Sequence, residues 1–71
     1  MIDLILVGFR QTLDDLILED VESPHFIELM ERAEEYLDVI QERYGQEVYE
    51  GMDKCYTYTL VLKPGYKPNV H

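Results

Sequence analysis

The stretch S-P-H-F-I-E-L-M-E-R-A-E-E-Y-L-D-V-I-Q-E-R-Y-G, Ser23 to Gly45, constrains this chain most, because it carries two opposed stripes at helical spacing. Phe26, Met30, Ala33, Leu37, Ile40 and Tyr44 form the apolar stripe; Glu28, Glu31, Glu35, Asp38 and Glu42 form the acidic one. Both step by three and four residues, so each stays on one side of a 3.6-residue helix. At 100° per residue the acids fill an arc about 80° wide, roughly 160° from the centre of the apolar arc. Leu29 and Tyr36 widen the apolar face on one flank. Ser23 suits the N-cap, Pro24 the first helical position and Gly45 the left-handed stop. One face builds a core, and the other presents negative charge.

Taken alone, such a stripe reads as the solvated face of a core helix. The charge balance argues for more. Fifteen acids against six bases give a net charge of −9. Residues 1–44 hold twelve of the acids and three of the bases, so the whole imbalance lies in the helix and what precedes it. A surface of this sign repels phosphates and anionic lipid headgroups, which argues against direct binding to nucleic acid or membrane. Its natural partners are basic surfaces.

Seventy-one residues make one domain, expected over residues 1–62 with an extended or mobile tail over 63–71, K-P-G-Y-K-P-N-V-H. A chain this short buries only about 60% of its unfolded surface, so a homodimer is a reasonable expectation. One cysteine, Cys55, allows no internal disulfide framework and no zinc constellation, which fits a reducing, cytoplasmic setting. The apolar run at the N-terminus contains Asp3, lacks a basic n-region and a cleavage site, and is too short to span a bilayer.

The remaining elements read as strands. Ile2 to Phe9, I-D-L-I-L-V-G-F, is β-prone and nearly continuously apolar, which predicts a central strand with Gly8 at a bulge or a close backbone approach. Residues 10–22 are ambiguous. Thr12 and Asp15 resemble a capping box, which would put Leu13, Leu16, Ile17 and Val21 on one helical face, but Leu16-Ile17-Leu18 between acids favours a short strand by a small margin. Residues 46–62 predict a hairpin turning near Gly51–Asp53, with Tyr56, Tyr58, Leu60 and Leu62 on the face of its second strand that packs under the helix. The expected fold class is α+β: a three- or four-stranded, mainly antiparallel sheet with one long amphipathic helix on one face.

Catalysis finds little support in the residues. No Gly-rich phosphate loop, nucleophile elbow or spaced histidine pair is present, and the adjacent acids Asp14/Asp15 and Glu19/Asp20 point in different directions on any regular element. Asp20-Val21-Glu22 lacks the glycine and distal ligand of a calcium loop. His25 and His71 have no spaced ligand partner and read as surface residues, and Cys55 has no base beside it. No catalytic, cofactor or metal site is assigned. Six tyrosines, Tyr36, Tyr44, Tyr49, Tyr56, Tyr58 and Tyr66, suit the core or its edge, with Tyr49 or Tyr66 as an interface anchor if exposed.

The five-acid stripe spans about 21 Å, with a carboxylate every 4–5 Å or so along the axis, against a phosphate about every 3.4 Å on one DNA strand. Asp14, Asp15, Glu19, Asp20 and Glu22 would extend the negative surface. In size, acidity and charge spacing (Glu28, Glu31, Glu35, Asp38, Glu42) the chain resembles the small DNA-mimic inhibitors of bacteriophages. It is similar too to the host-takeover proteins of large Bacillus phages, among which is an inhibitor of the histone-like nucleoid protein HU. The resemblance implies occupation of a host protein's DNA-binding surface, with loss of DNA binding as the result. The alternative is a small acidic structural or regulatory module that finds its partner through its tyrosine and apolar surface.

Overall fold

Asp3, Ser23 and Gly45 start three helices in the computed structural model, which describes residues 3–66. They are α1 (Leu4–Leu18), α2 (Pro24–Tyr44) and α3 (Gln46–Val61). There is no strand among the described residues, so the expected α+β sheet is replaced by an all-helical bundle.

α2 begins and ends where its sequence signals put it. The Ser23 hydroxyl accepts from the His25 N–H at 3.2 Å, and Pro24 occupies the first helical position. Its buried face comprises Phe26, Leu29, Ala33, Leu37 and Ile40, with Met30 and Tyr36 packed at the edges. Tyr44, expected in the same stripe, is exposed at the helix end.

Gly45 then does double duty. Its N–H donates to Gln41 O and its carbonyl accepts from the Tyr49 N–H, each at 3.1 Å, so one residue closes α2 and opens α3. This requires φ +91° and ψ 179°, a region essentially confined to glycine. The reversal makes α3 antiparallel to α2.

α1 is one helix where two strands were expected. Its cap is Asp3, whose carboxylate accepts from the N–H groups of Ile5 and Leu6 at 2.9 and 3.4 Å. Ile5, Phe9, Thr12, Leu13 and Leu16 recur at helical spacing toward the core. Leu4 and Val7 face water, and these two apolar residues on the solvent side hid that period inside a continuous apolar run. Thr12 caps nothing; it is buried in mid-helix, where its hydroxyl donates to Gly8 O at 2.8 Å.

α3 also overrides its local preferences. Tyr, Thr and Val over residues 56–61 favour strands, but Tyr49, Met52, Tyr56 and Leu60 share one helical face on the core. Tyr56 and Leu60 are buried as expected, whereas Tyr58 and Leu62, which alternation placed beside them, are exposed. Gly51, read as a turn, lies within the helix.

α1 runs antiparallel to α2, with Gly8 beside Tyr36 at one end and Asp15 and Glu19 beside His25 and Leu29 at the other. α1 and α3 are therefore parallel, and their C-terminal ends meet. There the Lys63 ammonium donates to the carbonyls of Ile17 (2.8 Å) and Glu19, which closes the end of α1, and sits 5.7 Å from the centre of the Phe26 ring. A cation at a helix C-terminus is favoured by the helix dipole as well as by the free carbonyls. Tyr66 packs on Phe26 with ring centres 6.4 Å apart. Residues 63–66 thus fold back on the core, beyond the domain end expected at residue 62; Ile2, His71 and the tail beyond residue 66 lie outside the described residues. No helix among the described residues is long and apolar enough to cross a membrane.

Two side-chain fits are testable. A Cβ on Gly8 would stand 2.4 Å from the Tyr36 hydroxyl oxygen, while one on Gly51 would meet nothing within 4 Å. Gly51→Ala should raise stability by about 1 kcal/mol through helix propensity. Gly8→Ala should lower it, because Tyr36 must leave its seat, and should become stabilising in a Tyr36→Ala background; denaturant unfolding of the four variants reads both signs.

The Tyr56 hydroxyl donates to Glu34 Oε2 at 3.1 Å and to Met30 O at 3.5 Å. Burial first, and the adjacent Glu34 carboxylate next, push its pKa well above the ordinary tyrosine value. The unfolded chain releases this proton near pH 10 while the folded chain holds it, so Tyr56 withdraws stability as pH rises above about 10. Tyr56→Phe should make alkaline unfolding less steep there, at a loss of about 1 kcal/mol at neutral pH from the missing hydrogen bond.

Candidate functional site

α2 packs against both neighbours, so the face opposite its core stripe points away from the whole bundle. Glu28, Glu31, Glu35, Asp38 and Glu42 lie on that face and are all exposed, in the row that their spacing predicts. The core side chains hold the row straight by fixing the rotation of α2 about its axis.

These carboxylates are almost unneutralised. Among the described residues the one such contact is His25 Nδ1 to Glu28 Oε2 at 3.0 Å, a hydrogen bond that is an ion pair only when the imidazole is protonated, between two exposed side chains in the first turns of α2. Arg32 lies beside Glu35 in a shallow hollow with Tyr36 and Val39, without an ion pair among the described residues. Like charges at i,i+3 and i,i+4 each destabilise a helix by roughly 0.2–0.5 kcal/mol. Glu31 has three such neighbours, Glu28, Glu34 and Glu35.

The acids before α2 do not all join this row. Asp15, Glu19 and His25 line one hollow with Leu18 and Leu29, so these two acids flank the N-terminal end of the stripe. Asp14, one residue earlier and 100° round the helix, is exposed on a different side of α1. Asp20 and Glu22 sit in the connecting loop, where the Asp20 carboxylate accepts from the Glu22 N–H at 3.0 Å and Glu19 Oε1 from the Asp20 N–H at 3.2 Å. Seven of the ten acids therefore share a surface, and Asp14, Asp20 and Glu22 stand at or beyond its edge.

Glu34, absent from the expected stripe, belongs to the α3 side of α2, where it accepts from Tyr56. Tyr49 and Tyr66 pack against the core and are not free anchors. Tyr58, 67% exposed, is the tyrosine the fold turns furthest outward, ahead of Tyr44 at the end of α2; its burial was expected from strand alternation, and only helical spacing from Tyr56 could have placed it in water. No group of three or more potential metal ligands converges among the described residues.

Since the stripe repels itself, Glu31→Gln should stabilise the fold. The expected gain is about 0.5–1 kcal/mol at low salt, or roughly 3–6 °C in a domain of this size, and it should shrink as salt rises. A thermal melt at two salt concentrations measures it; a loss of stability would mean the row serves the fold. Comparison with protein-family models, with curated proteins and with solved structures finds no match to this chain.

Proposed function

We propose that the outer face of α2, extended by Asp15 and Glu19, binds the basic surface with which another protein, such as a histone-like nucleoid protein, holds DNA, and so blocks DNA binding. The observation that carries this reading is the row of five exposed, nearly unpaired carboxylates on a helix whose rotation the core fixes. A solubilising surface needs charge but not order, and interspersed bases would serve it as well. Here the repulsive neighbours are kept in line. Rigid, pre-placed anions also lose little side-chain and backbone entropy on binding, which favours them over a mobile acidic tail.

The chemistry is displacement by charge complementarity. Lysines and arginines that neutralise phosphates in a DNA complex would instead meet carboxylates at about 5 Å intervals along a straight 21 Å row. Association is then fast at low salt and screened at high salt.

The test is competition. Wild-type protein should displace labelled duplex DNA from a purified nucleoid protein of the HU type, less well as salt rises. Reversing Glu31, Glu35 and Asp38 to Lys together should raise the concentration needed by at least about 30-fold, equivalent to about 2 kcal/mol spread over three exposed contacts. The three side chains are exposed, so the fold tolerates the change, which circular dichroism checks. Displacement that ignores both salt and reversal would overturn the reading.

A further inference from the structure

The side of the bundle away from the acidic row has the opposite character. Where the C-terminal ends of α1 and α3 run parallel, Ile17, Tyr58, Thr59, Leu62, Lys63 and Pro64 line an open groove to which α2 contributes nothing. Its lining contains no acid in a chain of net charge −9. Ile17, Tyr58 and Leu62 are 58, 67 and 77% exposed.

We propose that this α1–α3 face is the surface on which two copies of the chain associate, about a two-fold axis that passes through the groove. Charge selects the occupant. Each copy repels another, so the least opposed approach keeps the two acidic rows farthest apart, and pairing through the groove does this because α2 lies on the other side of both bundles. A patch without acids is also compatible with itself, as a two-fold contact requires. A partner chosen for complementarity to this chain's charge would have no purchase here; a second copy needs only apolar contact.

Area agrees. At roughly 150–200 Å² for a fully exposed side chain of this size, Ile17, Tyr58 and Leu62 leave about 350 Å² of apolar surface in water. A standard interface buries about 800 Å² per partner, and in homodimers about 65% of that is apolar, again about 500 Å². The patch therefore supplies about two thirds of the apolar centre of one interface of ordinary size, with Thr59, Lys63 and neighbouring polar side chains as its rim. Lys63 remains bound to the carbonyls at the end of α1, so its charge is already engaged before a second copy arrives.

The experiment is sedimentation equilibrium of the full chain at about 100 μM, in low salt and in about 0.3 M salt, where charges more than several ångströms apart are screened. The expected result is a dimer that strengthens as salt rises, opposite in sign to the salt dependence of binding through the acidic row. Leu62→Glu, and separately Tyr58→Glu, should weaken it by about 100-fold, while Ile27→Glu, at an apolar site on α2 that is 59% exposed, should leave it intact. Circular dichroism establishes that each variant is folded. A wild-type chain that stays monomeric in both salts overturns the proposal and leaves the groove to a different protein. A dimer that Leu62→Glu and Tyr58→Glu leave untouched, or that Ile27→Glu dissolves equally, overturns it by placing the contact elsewhere. None of these outcomes depends on whether the acidic row binds a basic protein.

Discussion

Burial of one stripe of α2 between α1 and α3 holds the molecule together. Leu29, Ala33 and Ile40 are essentially removed from water, and Phe9 and Leu16 of α1 and Tyr56 and Leu60 of α3 close over the same stripe. Each large apolar side chain so buried contributes on the order of 1.5–3 kcal/mol, far more than any exposed charge pair in the structure. Packing therefore outweighs the self-repulsion of the acidic row, which amounts to a few tenths of a kcal/mol per neighbouring pair. The same constraint that makes the core orients the charge: a helix held by its apolar side must show the other side to solvent.

The ends of the bundle are closed by specific polar contacts. Gly45 joins α2 to α3 with no intervening loop, and a side-chain bridge from Gln41 Nε2 to Gln46 Oε1 at 2.7 Å spans the junction. At the opposite end Lys63 satisfies carbonyls that α1 leaves free and covers the Phe26 ring, with Tyr66 packed alongside. The short C-terminal segment after α3 thus stitches α1, the loop and the start of α2 together. No buried side-chain polar atom among the described residues lacks a partner.

Two surfaces of different physics result. The α2 face is anionic, regular and hydrated, suited to contacts that salt weakens. The α1–α3 face is apolar and free of acids along its groove, suited to contacts that salt strengthens by relieving repulsion. Their placement on opposite sides means that use of one need not obstruct the other.

How much of this was legible in the chain differs from element to element. α2 was readable to within a residue at each end, because its cap, its proline, its glycine and both of its stripes give the same answer. The exposed carboxylates followed from the same period. α1 and α3 resemble strands in sequence, since each carries apolar or β-prone residues on its solvent side: Leu4, Val7 and Leu18 in α1, Tyr58, Val61 and Leu62 in α3. Those residues blur a helical period that the core positions alone would have displayed. Local preference in these segments is worth only tenths of a kcal/mol per residue, and it yields to the chance of packing two more helices on the apolar side of α2. The sequence by itself determined α2 and the direction of its charge; only the tertiary structure decided that its neighbours are helices, that Asp14, Asp20 and Glu22 fall outside the acidic row, and that an apolar groove opens behind it, because each of these depends on contacts between residues far apart in the chain.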